Sequence, residues 1–169
     1  IRLAYADSLH GPWQVYEAGS LRLDQAKEFR GHIASPDVHV DEEKHEIRMY
    51  FHGMSKYMIG QKTGVAISKD GLDFVASKEI LGQFYFRVFK WKEYYYAIAK
   101  DRNSGWGTLY RSKDGLKSFE NRGKFIRNMR HAAALIKGDQ LIIFYSRVGD
   151  SPERIVVSTV TLTGDWQKW

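Results

Sequence analysis

Side chains suited to acid–base chemistry occur at equivalent places in three successive stretches of this chain. When the stretches are aligned on the second strand predicted in each, Asp37, Arg87 and the pair Arg130-His131 fall at about the same level. A carboxylate donates or accepts protons, and a nearby guanidinium or imidazole changes its pKa and binds hydroxyl groups. We therefore predict that these side chains face a common site. The alternatives are an Asp that caps the strand entry after Pro36, and a surface or satisfied core pair at Arg130-His131.

Further polar residues stand where the second strands end and longer loops begin. These ends should return to one edge of the fold, and loops held by a rigid scaffold often carry binding groups. In the last such loop, Glu153 is the best-placed second carboxylate, with a solvated loop charge as the alternative. Tyr57, Tyr85 and Trp106 are candidates for stacking on a ligand ring. The candidate ligand-binding residues are His32, His52, Arg87, Lys100, Arg130, His131 and Arg147.

A repeated turn organises the elements that must position these residues. The segment Ser68–Leu72, Ser-Lys-Asp-Gly-Leu, recurs 44 residues later as Ser112–Leu116. Each copy leads to an aromatic residue, Phe74 or Phe119, and Trp166 holds the same place in a weaker copy. In such a turn the Asp side chain bonds the backbone, Gly takes the positive φ, and the aromatic anchors the next strand. The recurrence predicts a repeated structural unit.

Between the turns the pattern predicts short strands and no long helix. Several strands in a period near 45 residues are typical of a β-propeller blade, whereas a β-sandwich does not explain the recurring turn. We predict an all-β chain of about three and a half four-stranded blades, with 1–23 ending one blade and 24–82, 83–126 and 127–169 forming three. The predicted strands are His32–Val40, Ile47–His52, Gly64–Ile67, a short one near Ile80, Phe84–Lys90, Tyr94–Lys100, Thr108–Arg111, Met129–Ile136, Leu141–Ser146 and Ile155–Val160.

One blade resembles a known family. His32–Val38, with Ala34, Pro36 and Asp37, precedes a charged hairpin and Ile47–Gly53. This pattern resembles the tryptophan-alanine-proline-aspartate blade of glycoside hydrolase family 43 and its neighbours, families 32 and 130. The Ser-x-Asp-Gly turns and the Gly-Pro-Trp of residues 11–13 are also habitual there. Ile33 or Ala34 stands where the family has Trp, and the family's Asp-Pro and Glu-Gly-Pro segments do not occur in the chain.

The resemblance implies a function as well as a fold. It implies a five-bladed ring whose axial funnel holds a carbohydrate, with Asp37 and Glu153 as catalytic carboxylates of a glycoside hydrolase. The alternative is a non-catalytic propeller module that binds carbohydrate or a protein partner. No cofactor is expected, apart from a divalent cation such as calcium that some family members hold in the axial channel. No recognised zinc-binding spacing occurs among the histidines.

Composition excludes some partners. The net charge is +6, from 26 basic and 20 acidic residues, but no run of five basic residues and no phosphate-binding loop occurs, so nucleic acid is not expected. Apolar runs of about five residues are too short to cross a membrane. The absence of Cys excludes disulfides without fixing the compartment; bacterial cytoplasm, periplasm and secretion all stay open. Because the chain opens on strand-like residues, Ile1–Tyr5, we expect a fragment or processed chain whose ring is completed by further blades or by an oligomer.

Overall fold

The computed structural model describes all residues, 1–169, and they form fourteen β-strands and one 3-10 turn. No helix is long and apolar enough to span a membrane. The all-β prediction is confirmed, because alternating and aromatic-rich segments form strands throughout. The strands are β1 (Leu3–Tyr5), β2 (Gln14–Tyr16), β3 (Phe29–Asp41), β4 (Glu46–Ser55), β5 (Gln61–Ser68), β6 (Val75–Ala76), β7 (Gly82–Gln83), β8 (Arg87–Trp91), β9 (Tyr94–Lys100), β10 (Gly107–Ser112), β11 (Glu120–Ile126), β12 (Met129–Lys137), β13 (Gln140–Arg147) and β14 (Val156–Thr161).

Four antiparallel sheets follow one another along the chain, each with neighbouring strands in chain order. Their main paths of hydrogen-bonded strands are β1–β2, β3–β4–β5–β6, β8–β9–β10–β11 and β12–β13–β14. The chain divides into two compact units, Ile1–Ile80 and Leu81–Trp169, with two of these sheets in each. The assignment of individual blades to 1–23, 24–82, 83–126 and 127–169 stays a prediction.

The repeated turn has the predicted chemistry in both copies. The amides of Leu72 and Asp73 donate to Asp70 Oδ1 at 2.9 and 3.1 Å, and those of Leu116 and Lys117 donate to Asp114 Oδ1 at 2.8 and 3.0 Å. The turn glycines have φ values of 80° and 72°. The aromatic residue that follows is buried in the first copy, where Phe74 joins the core of its unit. The turn therefore closes each strand pair by local bonds that the sequence specifies.

Each unit has its own core. In the first unit, Leu21, Phe29, Met49, Phe51 and Phe74 form a buried cluster. In the second, one cluster joins the two sheets, because the inward side chains of β13 meet those of β9 and β10. Its buried members are Phe89, Trp91, Tyr96, Ile98, Leu109, Ile126, Met129, Ala132, Leu141, Ile143, Tyr145, Leu162 and Trp166.

Several details differ from the sequence prediction, since β7 and β11 are not among the predicted strands. The short outer strand of the first full sheet lies at Val75–Ala76 rather than near Ile80, because it pairs with β5 directly after the tight turn. The last sheet has three strands rather than four. After β14 the chain forms the 3-10 turn Trp166–Lys168. Asp165 caps this turn, because its side chain accepts a hydrogen bond from the Gln167 amide. This local bond and the burial of Trp166 favour a turn over a fourth strand.

Candidate functional site

One edge of the second unit collects most of the predicted site residues. In an antiparallel meander the start of the first strand and the end of the second lie at the same end of the sheet, and we refer to that end of the strands as an edge of the unit. The edge is formed by the starts of β8 and β12, the ends of β9 and β13, and the connections between β9 and β10, β11 and β12, and β13 and β14. We call these segments, residues 84–87, 100–106, 127–131 and 147–155, the rim.

Arg87 and His131 meet at the rim through Tyr85. The Arg87 guanidinium carbon lies 4.1 Å from the centroid of the Tyr85 ring. The Tyr85 hydroxyl is hydrogen-bonded to His131 Nδ1 at 3.0 Å, with the two rings edge-to-face and their centroids 5.4 Å apart. The backbone holds the guanidinium, because Nε donates to the Ala132 carbonyl at 3.2 Å and Nη1 to the Phe86 carbonyl at 3.0 Å. The result is a preorganised group of one aromatic ring, one imidazole and one cation.

Arg130 lies in a β-bulge beside this group. Across from β12, Met129 pairs with Arg147 and His131 with Ser146, so Arg130 is the extra residue. A bulge turns a side chain away from the regular alternation of the strand. Arg130 Nη1 donates to Glu153 Oε2 at 2.9 Å, with both side chains partly exposed. The structure thus joins two sequence-predicted site residues that are 23 positions apart.

Two more predicted cations stand at the same edge. Burial lowers the pKa of the Lys100 ammonium, and the positive charge of Arg130 lowers it further. Arg147 Nη2 donates to the Tyr145 hydroxyl at 3.4 Å. The hydrogen bond with the Ser158 hydroxyl lowers the pKa of Tyr145 most, and the hydrogen bond from Arg147 lowers it further, because both stabilise the phenolate.

The remaining predicted residues lie in the first unit. Asp37 Oδ2 is 2.9 Å from His39 Nε2, and the His39 ring lies edge-on to Tyr50. Asp37 follows a second bulge, because Ala34 pairs with His52 whereas Asp37 pairs with Tyr50. The prediction overlooked His39 as the partner of this carboxylate. Its position two residues along the strand was the available signal, since alternate residues point to the same face.

His32 and His52 are neighbours on β3 and β4. Their rings lie edge-to-face with centroids 6.2 Å apart, and His32 Nε2 is 3.3 Å from Gln61 Oε1. His52 is buried and His32 is exposed, so His32 is the more accessible of the two. Their roles in ligand binding stay predictions.

The three aromatic candidates have different surroundings. Tyr57 is largely exposed in the β4–β5 loop, and its amide donates to Ser55 Oγ. Trp106 lies at the rim with Lys124 Nζ 5.3 Å from its ring centroid. Tyr85 is engaged by Arg87 and His131 as described. Of the three, Tyr85 is the one integrated into a group of polar site residues.

No group of three or more His, Asp or Glu side chains lies close enough together to hold a metal ion. At the rim the carboxylates are also engaged separately, with Glu153 bonded to Arg130 and Asp150 to Arg154. The residues present therefore do not form the oxygen-rich ligand set that calcium requires. The axial cation stays a prediction, and no chemical step is derived through it.

Comparisons with known proteins show the fold. No protein-family model matches the chain. An uncharacterized protein of Acanthamoeba polyphaga mimivirus is 33% identical to it over 199 aligned positions, which cover the whole chain and 54% of the viral protein. The GH43_1 enzyme of Xanthomonas citri superposes with a TM-score of 0.70 at 10% identity, over 98% of this chain and 63% of the enzyme. That enzyme has also been solved in complex with xylotriose.

A family 117 glycoside hydrolase of Zobellia galactanivorans superposes with a TM-score of 0.64 at 17% identity, over 94% of this chain and 50% of that protein. The chain thus spans between half and two thirds of the length of each protein compared here. The predicted β-propeller fold is confirmed, and it is the fold of glycoside hydrolases.

Proposed function

We propose that the protein acts on an oligosaccharide or polysaccharide as a glycoside hydrolase. The observation that carries the proposal is the rim group of Tyr85, Arg87 and His131, next to the Arg130–Glu153 pair, on a fold shared with sugar-cleaving enzymes. An aromatic ring flanked by hydrogen-bonding planar groups suits a sugar, which presents both C–H faces and hydroxyls. In this proposal the ring has five blades of the family 43 kind, completed by further blades or further copies.

The residues have distinct roles in this proposal. Glu153 transfers a proton to or from the glycosidic oxygen or water, and Arg130 orients its carboxylate. In the first unit, Asp37, held by His39, is proposed as a catalytic carboxylate. Arg87 and His131 bind hydroxyl groups, while Lys100 and Arg147 bind more distant parts of the chain of sugars. In the first unit, His32 and His52 are proposed to bind sugar hydroxyl groups.

A second function is favoured by a specific observation. Each carboxylate of the rim is already engaged: Glu153 with Arg130, Asp150 with Arg154, and Asp101 with the Asn103 amide and the Ser104 hydroxyl of its own loop. Such a surface positions ligands without offering a free acid or base. The second candidate is therefore a non-catalytic module that binds carbohydrate.

The deciding experiment measures binding and cleavage with the same variants. The protein is incubated with defined xylo-, arabino- and galacto-oligosaccharides, release of reducing ends is followed, and binding is measured by calorimetry. Under the proposal Glu153→Gln and Asp37→Asn lower the cleavage rate by about 10²–10⁴-fold, because proton transfer by a side chain contributes that much.

The matched control is Glu120→Gln, since Glu120 is also ion-paired with an arginine, Arg111, at 3.0 Å. It should retain cleavage within about twofold, because it lies at the other edge of its sheet. Binding without cleavage supports the second candidate. Neither binding nor cleavage with any saccharide overturns both functions.

A further inference from the structure

Positive charge is concentrated in one part of the chain. Residues 81–169 contain 16 Lys and Arg against 8 Asp and Glu, whereas residues 1–80 contain 10 against 12. The net charge of the protein therefore comes from the second unit. A one-sided charge distribution of this kind attracts ligands of the opposite sign.

Within the second unit the excess is densest at the rim. The 25 residues of the rim contain seven Lys and Arg and three Asp and Glu, so they hold half of the unit's excess of eight in fewer than a third of its residues. The seven cations are Arg87, Lys100, Arg102, Arg127, Arg130, Arg147 and Arg154. Antiparallel pairing brings these positions to one edge although they span 68 positions of the chain.

The acids of the rim do not neutralise all of these cations. Glu153 pairs with Arg130 at 2.9 Å and Asp150 with Arg154 at 3.4 Å, while Asp101 is bonded within its own loop. Lys100, Arg102, Arg127 and Arg147 are not members of these ion pairs, although the Asp150 carboxylate attracts Arg147 at longer range. Unpaired cations at a common edge are an electrostatic cost to the folded chain, and a bound anion removes that cost.

The position of Lys100 strengthens this argument. It is the last residue of β9, is partly buried, and lies close enough to Arg130 for that charge to lower its pKa. A long ammonium side chain normally extends into water and away from like charges. Here the Lys100 amide donates to the Phe84 carbonyl at 2.9 Å, which places the end of β9 beside the Tyr85, Arg87 and His131 group, whose ring and hydrogen-bonding atoms suit a sugar.

We propose that the rim binds an acidic saccharide, one whose sugars carry carboxylate or sulfate ester groups, in preference to a neutral one. The inference rests on the proposed function and names its substrate class. Guanidinium groups bind both anions through paired N–H donors, so Arg147 is the main anion contact, with Lys100 as a point charge between sugars.

The first test compares ligands at fixed length. Calorimetry is performed with oligogalacturonate, with a sulfated galactan oligosaccharide, and with neutral xylo- and galacto-oligosaccharides. We expect at least one acidic ligand to bind at least about tenfold more tightly than its neutral counterpart, with the advantage falling as NaCl rises from 50 to 500 mM. The two acidic ligands distinguish the carboxylate from the sulfate ester. If neither acidic ligand binds better than its neutral counterpart, the inference is overturned, and the proposed function stands as long as neutral sugars bind.

The second test separates a site from general attraction. The rim variant Lys100→Gln/Arg147→Gln is compared with Lys113→Gln/Lys137→Gln, which removes the same charge from exposed positions at the other edge of the unit. The rim variant should bind the acidic saccharide at least about tenfold more weakly, whereas the control should stay within about twofold. Thermal melting checks that both are folded.

Three results would count against the inference. Equal losses in the two variants would indicate non-specific attraction by net charge. A single-stranded oligonucleotide of the same charge that binds as tightly as the acidic saccharide would indicate a nucleic-acid surface instead. If no saccharide of either kind binds, the proposed function fails together with the inference.

Discussion

Among single residues, Arg48 is a charged side chain that is almost completely buried. Its side chain is 1% exposed, and Nη2 lies 3.3 Å from Asp41 Oδ2 and 3.0 Å from Glu46 Oε1. These acids flank the β3–β4 hairpin, and Lys69 Nζ, in the turn after β5, donates to the His45 carbonyl at 3.3 Å. A buried cation of this kind depends on its partners, because the charge has lost its contact with water. The hairpin is therefore held by a buried ion network as well as by strand pairing.

Replacement of Arg48 should be costly. Arg48→Leu leaves two carboxylates facing an apolar side chain, and loss of one partner from a buried ion pair typically costs about 3–5 kcal/mol. Arg22→Leu is the matched control, because Arg22 pairs with Asp24 at 3.3 Å on an exposed surface, where such pairs contribute less than about 1 kcal/mol. Urea denaturation at pH 7 measures both free energies of unfolding. Similar values for the two variants would contradict the role assigned to Arg48.

At the scale of elements, the repeated turn contains two carboxylates, Asp70 and Asp114, whose lowered pKa values make the stability of the fold depend on pH. Partial burial by itself raises the pKa of Asp114, but the amides of Leu116 and Lys117 and the Ser112 hydroxyl lower it below the ordinary 3.8. The amides of Leu72 and Asp73 lower the pKa of Asp70 in the same way. A carboxylate whose pKa is lower in the folded state adds stability above the unfolded pKa. That contribution is lost as the pH falls through the folded pKa.

The turn should therefore be acid-sensitive. Asp114→Ala removes the acceptor of two amides and should lower the free energy of unfolding at pH 7 by about 1 kcal/mol, the usual value for such bonds. The difference from the parent protein should shrink as the pH falls below about 3.8. Asp73→Ala is the control, since Asp73 is exposed and its amide is a donor in the first turn. Melting temperatures from pH 7 to 3 measure both, and a gap that persists unchanged at pH 3 would refute the proposed linkage.

At the scale of the whole molecule, one sheet face is apolar and exposed. On the last sheet, Phe144 pairs with Val157 and with Ala133, so these residues and Leu135 share a face. Leu135 is 53% exposed, Phe144 38% and Val157 56%. The opposite face of the same strands belongs to the core. A contiguous apolar face of this kind is a contact surface for another sheet or another copy.

We therefore expect the 169-residue chain to associate at high concentration or to bind an apolar dye. Phe144→Lys/Val157→Lys should abolish this behaviour while the fold is retained, because the changed side chains point away from the core. Val75→Lys, at an exposed apolar position on a short outer strand, serves as the control. Sedimentation velocity and dye fluorescence are the measurements. A parent protein that is monomeric at all concentrations and binds no dye would disprove this expectation.

Local rules of sequence determined most of the fold. Nine strands, β3 to β5, β8 to β10 and β12 to β14, lie where the sequence pattern predicted them, whereas β6, β7 and β11 lie outside the predicted positions. The two Ser-Lys-Asp-Gly-Leu turns form as their residues require, because turn bonds join atoms within five residues. The sequence also indicated Asp37, Arg87, Arg130 and His131 as site candidates from their equivalent places in the repeat, and Glu153 from the loop that follows a second strand. Composition showed an excess of positive charge but did not show that the cations collect at the rim.

Tertiary structure alone decided which side chains meet. Tyr85 and His131 are 46 positions apart, and their hydrogen bond depends on how the two sheets pack. The pairing of Arg130 with Glu153 depends on a bulge that the regular strand pattern does not predict. Burial of Arg48 and of Trp166 likewise follows from packing between strands. Local propensity acts over a few residues, whereas a site is made by register and packing between distant strands, and these are settled when the whole core forms.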